Sequence, residues 1–277
     1  SDSAIRDEKG NMENYKYYND NNFVSSYRIS KFVVDWMRER GDMRLPKLAE
    51  MMIKLDGKNA DPTDLANYKG VIPNPGATGD NNNTDMEDGS QSRLKSKWYL
   101  EPVGPSAMNI GYPEQEFILA EAALRGWTED DPETHYLNGI RAAHEFLGVS
   151  SADTRAYLGH EKVQFKGSDT EKLGKIITEK YLNFFMQGGN EAYFELRRTG
   201  YPDFSAYLTH NTDQIYNDGY LPLRYRYPQS EIDNNNAQVS EAIKRLDKGD
   251  DRNSRMWLLQ GSDPLFNPAP FPFRYKN

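Results

Sequence analysis

The side chains with the clearest capacity for ligand chemistry lie in one irregular stretch of the sequence, residues 56–112. This stretch is dense in Gly, Pro, Asn and Asp, shows no sustained hydrophobic period, and contains the rings and planar groups of Tyr68, Arg93, Trp98 and Tyr99. A connection of this length inside a compact domain is usually either functional or disordered. Aromatic rings outside helices either cover a core or meet a ligand, and the sequence leaves both interpretations open.

The common sequence signatures of catalysis are absent. There is no GxSxG, GxxxxGK(S/T) or GxGxxG motif, and there is no cysteine, which excludes thiolate catalysis, disulfides and cysteine-bound metals within the chain. The four histidines show no HExxH or paired spacing. His144 lies on an apolar helix face, which favours a hydrogen-bonded core residue over a metal ligand. A catalytic carboxylate pair leaves no sequence signature, so a glycosidase stays an open alternative.

Two acidic, amide-rich runs could supply oxygen ligands to a cation. Residues 80–89 (DNNNTDMEDG) and 247–253 (DKGDDRN) do not fit the spacing of an EF-hand loop, which needs a glycine after the ligands at positions one, three and five. The alternatives are a solvated turn and a structural Ca²⁺ held by a loop. A melting temperature that responds to a chelator would support the ion. No other cofactor is expected.

Length and composition limit the classes of protein. The 277 residues allow one large domain or two small ones, with a sizeable core. Hydrophobic residues make up 37% of the chain, charged residues 27%, and the net charge is −8. An acidic chain of this kind does not favour a nucleic-acid backbone as a partner. No stretch approaches the roughly 20 apolar residues that a helix needs to span a bilayer.

Helical periodicity predicts a mostly α-helical fold with long irregular loops and little β structure. A first antiparallel hairpin is expected over residues 114–148, where Asp131 is the N-cap and Pro132 the first residue of the second helix. A small residue such as Gly139 allows the two backbones to approach closely. A second pair of helices is expected over residues 169–199. Successive hairpins of this kind resemble tetratricopeptide-type stacking, without an exact repeat.

Weaker patterns flank the hairpins. An apolar stripe over residues 29–37 predicts a helix that ends at Gly41, and a second short helix is expected near 46–55. Alternation over 220–228 is typical of a short strand. A helix at about 235–247 precedes a proline-punctuated, extended tail.

Two adjacent arginines, Arg197 and Arg198, stand in the last turn of a predicted helix. Gly200 suits the left-handed residue that follows a helix end, and Pro202 prevents continuation. The helix dipole favours cations at this end by roughly 0.3–1 kcal/mol each when they are exposed. We therefore predict a structural role for the pair, in packing, charge pairing and helix termination.

Five sequence segments form an ordered set of motifs. They are ERGDMRLP (39–46), YKGVIP (68–73), EQEFILAEAALRGW (114–127) with YLNGIRAAHEFLGV (136–149), IITEKYLNFFMQGGNEAYFELRRTGYPDF (176–204), and LPLRYRYPQSEIDNNNAQV (221–239). This set resembles the SusD/RagB family of Bacteroidota outer-membrane lipoproteins, particularly its SusD-like subgroup. The resemblance covers roughly residues 28–260, and Met43 stands where the family usually has proline.

The resemblance also implies a domain organisation. Family members are considerably longer, so residues 1–277 are expected to form the C-terminal part of a single SusD-like domain. In the family, a lipidated cysteine anchors the protein to the extracellular face of the outer membrane, and this chain lacks that anchor.

The function that the resemblance implies is non-enzymatic binding of oligosaccharides at the cell surface, with delivery to a SusC-type TonB-dependent transporter. Sugars present apolar C–H faces rimmed by hydroxyls, so a glycan site needs exposed aromatic planes beside Asn, Asp and Arg side chains. Comparable loops in the family supply ligand contacts. The alternative is that the candidate side chains pin the loop to the helical scaffold. The candidates are Trp98 and Tyr99 first, then Tyr68, Arg93, Asn81 and Asn82.

Three other functions stay open from the sequence. Oligopeptides are the cargo of RagB-like members, and binding assays with a glycan array and a peptide pool would separate the two cargoes. A helical protein-interaction module would capture a protein partner and show no affinity for saccharide or peptide. An α-helical glycosidase would turn over a bound glycan.

Overall fold

The computed structural model describes most of the chain from Arg28 onward. The described residues are 28–52, 55, 60–71, 90–98, 108, 110–207, 221–259 and 263–268. Predictions for Asn81, Asn82, Tyr99 and the acidic run 80–89 lie outside these residues.

The described part of the chain contains nine α-helices. They are α1 (Lys31–Glu39), α2 (Leu45–Leu48), α3 (Tyr112–Leu124), α4 (Pro132–Phe146), α5 (Ser151–Gly159), α6 (Asp169–Asn183), α7 (Glu191–Thr199), α8 (Gln229–Asn234) and α9 (Asn236–Ile243). The pairings between extended segments in this part of the chain are isolated bridges. The predicted mostly α-helical fold with little β structure is therefore confirmed.

The hairpin of α3 and α4 forms the centre of the helical frame. Asp131 accepts hydrogen bonds from the backbone N–H groups of Glu133 and Thr134 and so caps α4, as its sequence predicts. α3 and α4 share the most extensive helix contact. A Cβ atom at Gly139 would lie 2.6 Å from the ring of Phe117, so only glycine permits this close packing.

The second predicted pair is looser than the first. α6 begins with a capping box between Ser168 and Glu171, and it packs mainly against α3 rather than against α7. α7 is joined to α3 by Arg198, which donates two hydrogen bonds to Glu121 at 2.6 and 2.7 Å. Arg198 thus makes the charge pairing that the sequence predicts. Gly200 follows α7 in the left-handed conformation, with φ of 75°.

A buried ionic cluster joins α2 to α6. The guanidinium of Arg44 lies 2.6 Å from Asp42 and 2.8 Å from Glu179, and all three side chains are at most 1% exposed. Tyr157 donates a hydrogen bond to Glu179. Burial, together with the charge of Arg44, lowers the pKa of His144 to about 3, so this histidine is neutral and belongs to the core. The pairing within this cluster explains why charged residues of the segment 39–46 are buried in an otherwise apolar interior, since buried charges need partners.

Several local predictions were wrong in extent. The helix expected near 46–55 is limited to α2, because Ala49 is extended and bridges to Leu94. No strand forms at 221–228 within the described residues. There, the backbone N–H groups of Leu223 and Arg224 both donate to the carbonyl of Arg252. The helix expected at 235–247 is α9, which ends at Ile243 and is preceded by α8.

Candidate ligand-binding cleft

The part of the predicted site that the structure describes is attached to the helical frame. The backbone N–H of Ser92 donates to the carbonyl of Lys69 at 2.8 Å, and the N–H of Val71 donates to Ile29 at 2.9 Å. These bonds bring the segments that carry Tyr68 and Arg93 side by side beneath α1. The structure thus positions this part of the loop by main-chain hydrogen bonding.

Tyr68 and Arg93 are both used structurally in this arrangement. Tyr68 is only 2% exposed, and its hydroxyl donates to the carbonyl of Pro62 at 2.9 Å. Burial raises the pKa of Tyr68 to about 12. Arg93 is partly buried, and its carbonyl accepts the N–H of Glu50 at 2.9 Å. Neither residue presents a fully exposed planar group.

Trp98 is half-buried against the hydrophobic core formed around α1 and α2. Its ring meets Phe185 edge to face, with the ring centroids 5.7 Å apart. The crevice beside it, bounded also by Leu48 and Leu182, measures about 10 Å³, which is space for roughly one water molecule. The position of Trp98 supports the alternative that its ring pins the loop to the scaffold.

A much larger concavity opens beside α7. This cleft has a volume of about 680 Å³, within the range of small-molecule sites. It lies between α7, the segment 224–228, α9 and the turn that begins at Trp257. Its rings are those of Tyr225, Tyr227 and Trp257, and its cations are Arg197, Arg224, Arg226 and Arg245.

The segment that carries Tyr225 and Tyr227 is held from three directions. Arg197 donates to the carbonyl of Leu223 at 3.0 Å, and the hydroxyl of Tyr193 donates to the carbonyl of Pro222 at 2.6 Å. The carboxylate of Asp250 accepts from Arg224 at 2.6 Å and from the N–H of Tyr227 at 3.1 Å. The segment lacks regular secondary structure, and these hydrogen bonds to neighbouring elements fix its position.

The rings of the cleft are unusually accessible. Trp257 is 79% exposed and Tyr225 is 59% exposed. Tyr225 is oriented by two neighbours, because its hydroxyl donates to Asn190 at 3.1 Å and its ring meets that of Tyr193 edge to face. A flat, oriented and exposed ring beside hydrogen-bond donors is suited to stacking on the apolar face of a sugar.

Asp250 contacts two residues of the cleft wall, Arg224 and Tyr227, and its carboxylate is thereby already engaged. Burial raises its pKa, but the hydrogen bonds from Arg224 and from the N–H of Tyr227 outweigh that effect, and the pKa lies below its usual value. A carboxylate held ionised by an arginine is poorly suited to be a general acid. The described residues that line the cleft include no acidic side chain.

The acidic run 247–253 is used for local hydrogen bonds. Asp247 accepts from the N–H of Arg255 at 3.0 Å, and Asp251 accepts from the N–H of Asn253 at 2.6 Å. Among the described residues there is no group of three or more histidine, aspartate and glutamate side chains that could hold a metal ion. The 247–253 run therefore has the contacts of a hydrogen-bonded turn.

Sequence reasoning missed the cleft because its parts are distant in sequence. The alternation of Arg and Tyr over 224–227 is a visible signal, but it suggests a strand rather than a cleft wall. Trp257 stands in a short apolar run, MWLL (256–259), which gives no sign that its ring is exposed. An exposed tryptophan is recognisable only once the burial of its neighbours is known.

The protein is thus a helical scaffold, and its irregular segments carry the candidate site, an open cleft lined by aromatic rings. Residues 1–228 match the model of the SusD-like family described as "Starch-binding associating with outer membrane". The match covers most of the chain, and the chain belongs to the SusD-like family. Members of this family are binding proteins that associate with the outer membrane. None of the helices in the described ranges is long and apolar enough to cross a membrane.

Solved structures show the same fold. A SusD homolog from Bacteroides fragilis is 30% identical with a TM-score of 0.76, over 88% of this chain and 55% of that chain. A second SusD homolog from Bacteroides fragilis is 30% identical with a TM-score of 0.71, over 84% and 51%. A chitin-binding protein is 25% identical with a TM-score of 0.64, over 84% and 50%. The chain thus spans about half the length of these relatives. A comparison with curated proteins finds no match.

Proposed function

We propose that the protein binds oligosaccharides at the extracellular face of the outer membrane, without chemical turnover, and delivers them to a SusC-type TonB-dependent transporter. The observation that carries the binding step is the pair of exposed rings, Trp257 and Tyr225, on a cleft of about 680 Å³. The family description and the chitin-binding relative support a glycan as the ligand. In this proposal the chain is the C-terminal part of a single SusD-like domain, reaching the membrane through a lipid anchor outside the chain.

The chemistry of the cleft supports the proposed absence of turnover. A glycosidase needs two carboxyl groups about 5–10 Å apart, one of them with a raised pKa. The nearby carboxylate of Asp250 has a lowered pKa and is bound to Arg224. We expect the purified protein to leave a bound oligosaccharide intact, as chromatography of the ligand after prolonged incubation would show. Cleavage products would overturn this part of the proposal.

The test of the binding step is a substitution with a matched control. Trp257→Ala removes the most exposed ring of the cleft, and stacking of one sugar on one ring is worth roughly tenfold or more in affinity. Trp127→Ala removes an equally accessible indole, 71% exposed, which does not line the cleft. Calorimetric titration with a panel of oligosaccharides is expected to show weaker binding for the first variant alone.

Outcomes of the same titration separate the alternatives. Equal affinity in Trp257→Ala and the parent protein would contradict the cleft as the site. Binding of a peptide pool in place of every oligosaccharide would identify the cargo as peptide. The loop candidates, which are Trp98 and Tyr99 first and then Tyr68, Arg93, Asn81 and Asn82, remain the alternative site of this proposal. Loss of affinity in a folded Trp98→Ala variant would move the site there.

A further inference from the structure

The arginines of the cleft carry more positive charge than their surroundings neutralise. Arg224 is buried and paired with Asp250 at 2.6 Å. Arg226 lies 3.6 Å from the same carboxylate and is 60% exposed. Arg197 and Arg245 have no carboxylate partner within 4.0 Å in the part of the chain that the structure describes. The carboxylate of Asp250 is therefore the only one that pairs with any of the four guanidinium groups of the cleft within the described residues.

This excess is local and contrary to the charge of the whole chain. The protein has a net charge of −8, so an unneutralised group of arginines is not a by-product of a basic composition. Two acidic residues that flank Arg245 in the sequence are already engaged by other groups. Glu241 is paired with Lys244 at 2.5 Å, and Asp247 accepts the N–H of Arg255.

Arg197 is held in place before any ligand arrives. Its guanidinium stacks 4.6 Å from the ring centroid of Tyr193 and 5.0 Å from that of Phe194. One terminal nitrogen donates to the carbonyl of Leu223 at 3.0 Å. Its buried Nε has no hydrogen-bond partner within the described chain. A guanidinium that is already held in place loses little side-chain entropy when it binds an anion.

Neutral sugars do not need this arrangement. Hydroxyl groups are served by uncharged amides and by single arginines, whereas carboxylate and sulfate groups match the planar fork of a guanidinium bidentately. The exposed rings of Trp257 and Tyr225 lie in the same cleft as these cations. A sugar ring stacked on an indole would thus carry its charged substituent into reach of the arginines.

We infer that the cleft selects oligosaccharides that bear anionic substituents, carboxylate or sulfate, over neutral ones. This inference rests on the proposed oligosaccharide binding and adds the chemical class of the ligand. Arg245 and Arg226 are the groups that distinguish charged from neutral sugars, and Arg197 is the fixed point of the site.

The test uses pairs of ligands with the same sugar backbone, one member anionic and the other neutral. Titration of the full chain with oligogalacturonate and with its methyl-esterified form compares a carboxylate with a neutral ester on the same sugar. A sulfated oligosaccharide and its desulfated counterpart make the second pair. We expect the anionic member of at least one pair to bind roughly tenfold more tightly. The preferred pair identifies the substituent, and raising the salt concentration should weaken only the anionic ligand strongly.

Variants then assign the preference to the cleft. Arg245→Gln should reduce the ratio of anionic to neutral affinity by roughly fivefold, and Arg245→Lys, which keeps the charge without the planar fork, should retain only part of it. Arg155→Gln, at an exposed arginine on α5, is the control and should leave the ratio unchanged. An unchanged ratio in Arg245→Gln would overturn the assignment to the cleft.

The results distinguish a failure of the anionic selectivity from a failure of the proposed oligosaccharide binding. Equal or stronger binding of neutral ligands, with loss in Trp257→Ala, would leave oligosaccharide binding intact and overturn the anionic selectivity. Failure of every ligand in both pairs and of the neutral panel would overturn both. Binding of an acidic peptide in the absence of any oligosaccharide binding would also overturn both.

Discussion

Two tryptophans in irregular segments show opposite uses of the same side chain. Trp98 is half-buried beside Phe185, next to a crevice of about 10 Å³. Trp257 is 79% exposed on a cleft of about 680 Å³. The difference arises from the backbone. The segment before Trp98 is bonded to the frame, with the N–H of Lys95 donating to Leu48. An indole is thus drawn into the core where its main chain is tied to helices.

The largest expected effect is a loss of stability when the buried ionic cluster near Trp98 is broken. Arg44→Ala leaves the carboxylates of Asp42 and Glu179 buried without their cation, and such a loss typically costs about 3–5 kcal/mol of the free energy of unfolding. Urea denaturation of the variant against the parent protein measures it. A change below about 1 kcal/mol would show that water or a shifted pKa compensates, and that the cluster does not support this region.

Trp98→Ala tests the structural side of the comparison directly. Because the ring packs on Phe185 and lines only a small crevice, we expect a loss of about 2–3 kcal/mol in the free energy of unfolding. Oligosaccharide affinity of the folded variant should be unchanged. Trp127→Ala, at an exposed indole, is the matched control for stability. The opposite result, a stable variant with weakened binding, would make Trp98 the ligand contact.

Trp257→Ala tests the other side. An exposed ring contributes little to folding, so the free energy of unfolding should change by less than about 0.5 kcal/mol. The affinity loss of roughly tenfold corresponds to about 1.4 kcal/mol. Thermal unfolding and titration of the same preparation give both values. A large drop in melting temperature would mean that Trp257 also has a structural role.

The smallest expected effect concerns the wall of the cleft and its dependence on pH. The pKa of Asp250 is lowered in the folded protein, so its ion pair stabilises the fold above the ordinary aspartate pKa near 4, and this contribution is lost as pH falls further. Asp250→Asn should cost about 1 kcal/mol at pH 7 and less at pH 3. Urea denaturation at both pH values checks this, and a difference independent of pH would contradict it.

The hairpin could be predicted from the sequence because its signals are local. The N-cap at Asp131, the proline at 132 and the small residue at 139 each act within one or two helical turns. The family resemblance rested on motifs of the same kind, which shape helix ends and close contacts. The helix end predicted at Gly41 has the same local origin, although the burial of Asp42 and Arg44 beside Glu179 was not visible in the pattern.

The cleft could not be predicted in the same way. Arg197, the Arg–Tyr run at 224–227, Arg245 and Trp257 lie 12 to 27 positions apart between neighbours along the chain, and no period links them. Their meeting depends on long-range bonds such as that from Arg197 to Leu223. The strand predicted at 221–228 was wrong, although the segment does carry residues of the cleft. Its backbone N–H groups at Leu223 and Arg224 share a single acceptor, the carbonyl of Arg252.

The sequence by itself determined the first hairpin, with its cap and its close approach, because these depend on interactions between residues a few positions apart. It also determined the family, through motifs that shape the same local features. Only the tertiary structure decided which rings are covered and which face a cleft, since the exposure of a side chain depends on segments far away in the chain. For that reason Trp98 and Trp257, alike in sequence context, differ in the folded protein.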